Sequence, residues 1–359
     1  MRDFINGKGR GTVAQPGNRF EKLSVELDPA CFEEISRTDP DFVPIRPETQ
    51  ILEDDTKSII SKNDSPDLGF TYSLNPYRGC EHGCAYCYAR PYHEYLGFNA
   101  GLDFETRIVA KKTAPELLEK ELARPGWIPE SLACSGVTDC YQPVERELQI
   151  TRECLRVLRD FRNPVGIVTK NALVTRDIDY LQELAGWNAS VVAISLTTLD
   201  QDLAGKLEPR ASRPSSRLRA IRELHEAGVP VGISLAPVIP GINDYEIPAI
   251  LEAARDHGAR FAGFTVIRLP HGVKDIFADW LDVHFPGRKE LVLGRIREMR
   301  DGKLNNSDYG TRMSGRGIIA DEIRSIFTVS HRRLGFEKRS PRLSLEHFRR
   351  LTPGQPELF

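Results

Sequence analysis

Residues 75–88 read NPYRGCEHGCAYCY and place three cysteines, Cys80, Cys84 and Cys87, on one short stretch. Three thiolates this close in sequence can each bind one iron of a four-iron, four-sulfur cluster, for which cysteine is the usual protein ligand. The fourth iron then has no protein ligand, and an open coordination position marks a reactive metal site rather than a structural one. The stretch therefore predicts chemistry at a [4Fe-4S] cluster.

Zinc is the alternative metal for these cysteines, because three thiolates and either His82 or His93 would make a closed Cys3His set. Zinc modules usually carry two ligand pairs that stand about 12 to 20 residues apart. The sequence contains no second pair. The cluster is the favoured interpretation, and a non-catalytic iron-sulfur or zinc protein that binds nucleic acid or another partner is the second hypothesis.

The pattern Cys-x3-Cys-x2-Cys, with the aromatic residue Tyr86 before the last cysteine, resembles the signature of radical S-adenosylmethionine enzymes. In that superfamily the open iron binds S-adenosylmethionine, and the reduced cluster cleaves it to a 5'-deoxyadenosyl radical that takes hydrogen from a substrate. The resemblance implies two cofactors, a [4Fe-4S] cluster and S-adenosylmethionine, and an electron donor such as flavodoxin or ferredoxin. Lys170 stands at a predicted strand end. A lysine at this place resembles the uncharacterised bacterial branch of the superfamily that is related to spore photoproduct lyase.

Apolar runs rich in β-branched residues alternate with helical patterns from residue 70 onward, which predicts an α/β fold with right-handed βαβ units and a parallel sheet. Periodicity alone does not separate an open sheet from a barrel. The family resemblance implies a partial (β/α)6 TIM-like barrel, with the cluster loop after a first strand in residues 71–79. The predicted strands are Ile108–Ala110, Ser131–Val137, Val165–Thr169, Val191–Leu196, Val229–Ala236 and Phe261–Ile267, and the predicted helices lie near 114–123, 147–161, 177–186, 213–227 and 244–257.

Three regions are predicted along the chain: an irregular N-terminal leader (1–69), the radical S-adenosylmethionine partial barrel (70–285) and a basic C-terminal extension (286–359). Residues 287–359 carry 16 Lys and Arg against 9 Asp and Glu, although the whole chain has a net charge of only -2. A basic segment can bind phosphates, so nucleic acid is a predicted partner. A solvated basic surface explains the same charges equally well, and no aromatic-rich surface for bases is evident in the sequence.

Composition indicates a globular protein of a reducing compartment. The chain is 40% hydrophobic and 28% charged, and it has 7 cysteines, of which three belong to the cluster loop. The N-terminus lacks an apolar signal core, and the longest charge-free run, residues 227–243, contains three prolines and is too short to span a membrane. We expect a cytoplasmic protein without a membrane partner.

The loop after the second barrel strand is the first predicted contact with S-adenosylmethionine. Family members often carry Gly-Gly-Glu there, whereas this chain has Ser135, Gly136, Thr138 and Asp139. The resemblance implies that Asp139 supplies the missing carboxylate and Thr138 a hydroxyl, while Gly136 lets the backbone approach closely. The alternative is an ordinary turn in which the aspartate bonds to its own backbone.

Four further residues are predicted to bind the cofactor through the same resemblance. Lys170 would contact the carboxylate of S-adenosylmethionine, and Ser195 and Thr197 would contact its ribose. The turn with Pro240 would support the adenine, which Tyr86 would help to enclose. Ser and Thr at strand ends are also ordinary packing or capping residues, so this alternative stays open.

Two other cysteines, Cys134 and Cys140, flank the predicted cofactor loop and are candidate catalytic residues. In spore photoproduct lyase a cysteine near this loop gives a hydrogen atom to a product radical, so the resemblance implies the same role for one of them. A buried free cysteine is often only a small hydrophobic residue, which is the alternative. Glu208 and Arg217 are interpreted as surface charge, and the alternative for Arg217 is an ion pair with a carboxylate or a phosphate.

The substrate is left open between two classes. The branch resemblance and the basic extension favour nucleic acid. A small molecule or a protein glycyl site at the barrel mouth is the rival.

Overall fold

The computed structural model describes residues 7–21, 34, 38, 47–134 and 136–351. Its strands are β1 Gln50–Glu53, β2 Ile60–Lys62, β3 Tyr72–Leu74, β4 Tyr77–Arg78, β5 Arg107–Ala110, β6 Leu132–Cys134, β7 Val165–Thr169, β8 Ser190–Ser195, β9 Val231–Val238 and β10 Phe261–Val266. Its α-helices are α1 Leu102–Thr106, α2 Ala114–Ala123, α3 Glu145–Leu148, α4 Ile150–Phe161, α5 Ile178–Gly186, α6 Gln201–Leu207, α7 Pro214–Glu226, α8 Ile247–Asp256, α9 Val273–His284, α10 Lys289–Glu298 and α11 Ile318–Arg333. Short 3-10 helices lie at Arg90–Leu96, Ala172–Asp177, Asp244–Glu246 and Pro286–Arg288.

A seven-stranded sheet, in the order β10-β9-β8-β7-β6-β3-β2, forms the centre of the fold. From β3 to β10 the neighbouring strands are parallel and follow chain order, and β2 pairs with β3 in antiparallel fashion. Helices connect successive parallel strands, as βαβ units require. The predicted α/β fold with a parallel sheet is confirmed, and its strand order is the one that a partial (β/α)6 barrel needs.

The N-terminal region differs from the predicted irregular leader. Residues 50–53 form β1, which pairs with β5 in a second, three-stranded sheet of order β1-β5-β4, and residues 60–62 form the edge strand β2. The predicted strand Ile108–Ala110 therefore belongs to this small sheet and not to the seven-stranded sheet. Strands of three or four residues are too short to show a hydrophobic period, which is why the sequence does not reveal them.

The two faces of the main sheet have different side chains. The face toward the helices carries large apolar residues with 0 to 2% exposure, among them Leu132, Ile167 and Ile194. The opposite, inner face carries smaller residues, and Val168 on the central strand β7 is 44% exposed. Parallel sheets are usually covered on both faces, so an exposed valine on a central strand is unusual. The inner face is therefore a surface of mainly small side chains that the helices of the βαβ units do not cover at Val168.

The last part of the basic C-terminal extension, residues 337–349, runs past the end of the sheet opposite to the cluster loop. Its backbone hydrogen bonds join Glu337 N to Arg260 O, Ser344 N to Asn188 O and Arg349 N to Phe161 O. Each of these acceptors shortly precedes a strand of the parallel sheet. The arginines beyond α11 therefore lie at the amino ends of the strands.

Among the residues that the structure describes, no helix is both long enough and apolar enough to cross a bilayer.

Candidate active site

The cluster loop follows β3 at the carboxyl end of the parallel strands, where active sites of barrel enzymes lie. Cys80 and Cys84 are 7% and 6% exposed, and Cys87 is more accessible. Gly79 and Gly83 have positive φ angles of 76° and 66°, a conformation that favours glycine. The loop conformation therefore depends on these two glycines.

The surroundings of the three thiols suit an iron-sulfur cluster. Ala89 and Phe104 pack with Cys80 and Cys87, and Cys84 belongs to a second group of buried apolar residues. Burial, followed by the charge of Glu208, raises the pKa of the Cys84 thiol, and burial next to Cys80 raises that of Cys87 to about 11. Such thiols become thiolates when a cation binds, and thiolates are the preferred ligands of iron-sulfur clusters.

The two histidines of the zinc alternative lie in different surroundings. His82 Nδ1 lies 3.3 Å from Asp139 Oδ2, and the same ring also interacts with the thiol of Cys80. The ring of His93 packs 5.0 Å from that of Phe98. In the described part of the chain, no three His, Cys, Asp or Glu side chains converge as ligands of one metal ion. In a [4Fe-4S] cluster the three thiolates bind different irons, so they need not converge on one point.

A buried ion pair, Arg90 with Glu105, supports one side of the cluster loop. We call this the outer side, and the side toward Lys170 the inner side. Arg90 Nε donates to Cys84 O at 3.0 Å, Nη1 to Gly101 O at 2.8 Å, and Nη2 to Glu105 Oε1 at 2.5 Å. Both side chains have 0% exposure. Arg90 therefore fixes the backbone at the second cysteine directly.

Residues 7–21 cover the same side of the loop. Gly11 N donates to Glu105 Oε2 at 2.9 Å, and Leu102 N donates to Ala14 O at 3.0 Å. A Cβ atom on Gly11 would lie 1.5 Å from Gly83 O, so the two backbones are in direct contact. This part of the leader is a wall of the cluster loop.

Lys170 is the centre of a polar network on the inner side of the loop. Its Nζ donates to Ser195 Oγ at 2.6 Å, lies 3.4 Å from Thr197 Oγ1 and stands 3.2 Å from Glu208 Oε1. It also lies 5.6 Å from the ring centroid of Tyr86. The structure thus brings together four of the predicted cofactor residues, Tyr86, Lys170, Ser195 and Thr197, beside the cluster loop.

Glu208 and Arg217 belong to the same network, so their interpretation as surface charge is wrong. They are 2% and 1% exposed and form an ion pair. Glu208 also accepts hydrogen bonds from Tyr86 Oη and, at 2.6 Å, from Thr197 Oγ1. Burial alone would raise the pKa of Glu208, but Arg217, Lys170 and these hydrogen bonds outweigh it and hold the pKa well below its usual range.

The predicted adenine platform is a turn that Asn243 holds in place. Its Nδ2 donates to Thr197 O at 2.8 Å and to Pro237 O at 3.0 Å, and its Oδ1 accepts from Ile239 N at 2.6 Å. Pro240 is buried in this turn. The turn is therefore tied to the strand end that carries Thr197.

The loop after β6 contacts the cluster loop through Thr138. Thr138 Oγ1 donates to Gly79 O at 2.5 Å. Asn75 Oδ1 accepts from Gly136 N at 2.9 Å, and Tyr88 Oη donates to Gly136 O at 2.9 Å. Ser135 lies outside the described residues. The predicted cofactor contacts of Gly136 and Thr138 stay predictions.

The carboxylate of Asp139 is occupied by neighbouring groups. Oδ1 accepts from Thr169 Oγ1 at 2.7 Å and Tyr141 N at 2.9 Å, and Oδ2 accepts from Lys170 N at 2.8 Å. His82 lies on the same carboxylate. Asp139 thus joins the cluster loop to β7, and its predicted contact with the amino group of the cofactor gains no support from this geometry.

Cys134 and Cys140 lie in the apolar core. They are 2% and 0% exposed and belong to the cluster of buried residues that contains Cys154. Cys134 is on the helix-facing side of β6, two residues from Leu132 on the same face. Their role as hydrogen donors stays a prediction, and this position gives it no support.

Comparison with known proteins identifies relatives along most of the chain. A family model described as Radical SAM superfamily matches residues 74–254. The uncharacterized protein Rv2578c of Mycobacterium tuberculosis is 38% identical over 236 residues, which are 65% of this chain and 68% of that protein. The uncharacterized protein MJ0683 of Methanocaldococcus jannaschii is 28% identical over 178 residues, which are 50% of this chain and 64% of that protein.

Among solved structures, the fold is similar to that of spore photoproduct lyase complexed with dinucleoside spore photoproduct. The TM-score is 0.58 at 16% sequence identity, and the alignment covers 80% of each chain. This likeness concerns the fold. The extent of the family match, together with the cysteine loop and the parallel sheet, shows that the chain belongs to the radical S-adenosylmethionine superfamily of enzymes.

Proposed function

We propose that this protein cleaves S-adenosylmethionine reductively at a [4Fe-4S] cluster bound by Cys80, Cys84 and Cys87, and that its substrate is a nucleic acid. The observation that carries the proposal is the network of Lys170, which places a cation, hydroxyl groups and an aromatic ring beside the three thiols. When bound, the cluster supplies an electron to S-adenosylmethionine, whose 5'-deoxyadenosyl radical then takes a hydrogen atom from the substrate. The protein supplies the positions of the reacting groups.

Lys170 is the proposed contact for the cofactor's carboxylate. The negative charge of Glu208 is already balanced by Arg217, so Lys170 is not required to neutralise it. Its ammonium group donates to hydroxyl and carbonyl oxygens, which a carboxylate can replace as acceptors. A cofactor carboxylate at this position would therefore gain a charge-assisted hydrogen bond without leaving a buried charge unpaired.

Glu208 acts on Tyr86 as a positioning residue. The buried carboxylate, fixed by Arg217, accepts the hydroxyl hydrogen of Tyr86 and so orients its ring. The hydroxyls of Ser195 and Thr197 lie next to the same ammonium group and are the proposed ribose contacts. The turn with Pro240 is the proposed adenine support, since Asn243 ties it to the strand end of Thr197.

The substrate proposal is supported by the inner face of the sheet and by the fold neighbour. The solved structure of spore photoproduct lyase holds a dinucleoside spore photoproduct. Here the inner face has small residues and the exposed Val168, so a planar group can approach the cofactor site. The basic segment beyond α11 lies at the other end of the sheet, so nucleic-acid contacts there would add affinity without guiding a substrate to the cluster.

An electron donor such as flavodoxin or ferredoxin is part of the proposal, since reductive cleavage consumes an electron. In the test, dithionite replaces this donor. The protein is reconstituted with iron and sulfide without oxygen, and 5'-deoxyadenosine formed from S-adenosylmethionine is measured by mass spectrometry. We expect about four irons per chain and formation of 5'-deoxyadenosine.

Cysteine and lysine variants separate cluster binding from cofactor binding. Cys80→Ala, Cys84→Ala and Cys87→Ala should each lose the cluster and the product. Lys170→Ala should keep its iron and bind S-adenosylmethionine about tenfold more weakly, because one charge-assisted hydrogen bond is lost. Lys120→Ala, at an exposed position of α2, is the matched control and should behave as the parent protein. Unchanged iron in all three cysteine variants would refute the assignment.

A further inference from the structure

Three exposed tyrosines, Tyr88, Tyr92 and Tyr95, lie in succession next to the last cysteine of the cluster loop; we call them the tyrosine row. They are 45%, 54% and 65% exposed. Tyr92 and Tyr95 are three residues apart on the 3-10 helix Arg90–Leu96 and so share one face of it. Large aromatic side chains are seldom exposed in such a series unless the surface binds a partner.

The tyrosine row extends from the candidate active site to the outer surface. At its inner end, Tyr88 directly follows Cys87, and its hydroxyl donates to Gly136 O at 2.9 Å in the loop after β6. At its outer end, the ring centroids of Tyr92 and Tyr95 are 6.5 Å apart, and the ring of Phe20, which is 56% exposed, packs at a tilt against that of Tyr95 with the centroids 4.8 Å apart. A chain bound along the row would therefore have one end at the cluster loop.

Arginines lie on both ends of the tyrosine row. The guanidinium group of Arg268, which follows β10, is 5.4 Å from the ring centroid of Tyr88, and that of Arg19 is 5.4 Å from the ring centroid of Tyr95. Arg19 pairs with Glu94 at 3.1 Å. Aromatic rings interleaved with arginines are the surface that single-stranded nucleic acids use, through base stacking and phosphate contacts.

Arg268 is the arginine available to a phosphate. Its contacts within the described residues include no ion pair with a carboxylate, and its buried Nε has no hydrogen-bond partner there. Arg312 lies near it and is paired with Asp67 at 2.6 Å. Burial and the charge of Arg312 lower the pKa of Arg268, so a bound anion would stabilise its charged form.

We propose that the tyrosine row and Arg268 form the binding surface for a single-stranded nucleic acid, with bases stacked on the tyrosine rings and a phosphate on Arg268. This inference rests on the nucleic-acid substrate proposed above and names the surface that guides it to the cluster loop. A polynucleotide is favoured over a protein partner because the row ends at the cluster loop, where the proposed nucleic-acid substrate would react, and because each ring offers a face on which a base can stack.

Fluorescence anisotropy of a fluorescein-labelled oligothymidylate tests this surface on the anaerobically reconstituted holoprotein. The double variant Tyr92→Ala/Tyr95→Ala should bind at least tenfold more weakly, because each lost stacking platform costs on the order of fivefold or more. Tyr92→Phe/Tyr95→Phe keeps both rings and should bind within about twofold of the parent. Tyr245→Ala is the matched control, since Tyr245 is 67% exposed but lies next to Glu246 and Asp200.

The salt dependence of binding tests the role of Arg268. Arg268→Ala should weaken binding and lower the slope of log affinity against log salt by about one ion, because one phosphate contact is lost. Equal binding by the parent and the Tyr92→Ala/Tyr95→Ala variant would overturn the proposal, as would no oligonucleotide binding by the parent protein. An equal loss in Tyr245→Ala would also overturn it.

Measurement of 5'-deoxyadenosine on the same samples separates this inference from the proposed reaction. If the parent protein cleaves S-adenosylmethionine but does not bind the oligonucleotide, the surface is refuted and the reaction stands. If binding depends on the tyrosine row while no 5'-deoxyadenosine forms, the surface stands and the reaction is refuted.

Discussion

Two buried charge networks lie on opposite sides of the cluster loop, and they differ in what they bind. On the outer side, Arg90 pairs with Glu105, and its other donors go to backbone carbonyls. On the inner side, Glu208 pairs with Arg217 and also meets Lys170 and the hydroxyl of Tyr86. The outer network is thus saturated by the chain itself, whereas the inner one ends in side chains that can exchange partners.

This difference indicates that the outer network shapes the cluster loop and that the inner network binds the cofactor. A buried guanidinium that bonds to backbone carbonyls fixes the shape of a loop, and few other side chains have enough donors to replace it. An ammonium group that bonds to hydroxyls can turn to a ligand with little rearrangement. We therefore expect changes in the outer network to destroy the cluster loop, and changes in the inner network to spare the loop and weaken cofactor binding.

The largest effect should come from Arg90→Met. Removing one partner of a buried ion pair costs about 3–5 kcal/mol of folding free energy, because Glu105 keeps a charge without its partner. We expect a lower thermal unfolding midpoint and little iron after reconstitution, both compared with Arg219→Met at an exposed position of α7. An Arg90→Met protein with full iron content would show that the outer network does not shape the loop.

Glu208→Gln should have the next largest effect, and of a different kind. It removes the carboxylate that orients Tyr86 and pairs with Arg217, so the folding free energy should fall by about 3–5 kcal/mol. The iron content of the folded protein should be retained, while S-adenosylmethionine binds several-fold more weakly in equilibrium titrations. Loss of iron to the extent seen in Arg90→Met would abolish the distinction between the two networks.

Gly11→Val should have a smaller effect, which is limited to the segment of residues 7–21 that covers the outer side of the cluster loop. A side chain at this position would push residues 7–21 away from Gly83 O, which lies 1.5 Å from an ideal Cβ. We expect normal iron content but faster loss of the cluster absorbance in air. Gln15→Ala, at an exposed position of the same segment, should lose its absorbance at the parent rate. Equal rates for both variants would mean that this segment does not shield the cluster.

The smallest effect concerns pH and His93. Burial lowers the pKa of His93 from 6.5 to about 4. The unfolded chain therefore binds a proton near pH 6.5 that the folded chain takes up only near pH 4, so this group makes stability fall as pH decreases through that window. The thermal unfolding midpoint of His93→Phe should decline less between pH 6.5 and 4 than that of the parent protein. An identical decline in both proteins would show that the pKa of His93 is not lowered by burial.

The sequence predicts those parts of the fold and site that are encoded locally. The parallel strands show as apolar runs, and the three cysteines show by their spacing, so the sheet and the family were predicted correctly. The burial of Glu208 and Arg217 was not predicted, because the loop and helix between them give no sign that both lie against Tyr86. Such long-range pairs appear only when strand ends meet.

The wall formed by residues 7–21 and the tyrosine row were also missed. Residues 7–21 have no periodic pattern, because their role rests on backbone contacts such as that of Gly11 with Gly83. The tyrosine row had a signal in its spacing at positions 88, 92 and 95, but only exposure distinguishes a binding surface from a core-facing stripe. A spacing pattern can therefore be interpreted only when it is known whether its side chains face the solvent or the core.

Electron-nuclear double resonance on the reduced protein tests the central claim most directly, with S-adenosylmethionine that carries nitrogen-15 in its amino group. If the loop of Cys80, Cys84 and Cys87 leaves one iron open, the labelled nitrogen binds that iron and a nitrogen-15 hyperfine coupling appears. No coupling, together with an electron paramagnetic resonance spectrum that S-adenosylmethionine leaves unchanged, would contradict the assignment of the loop as the site of cofactor cleavage.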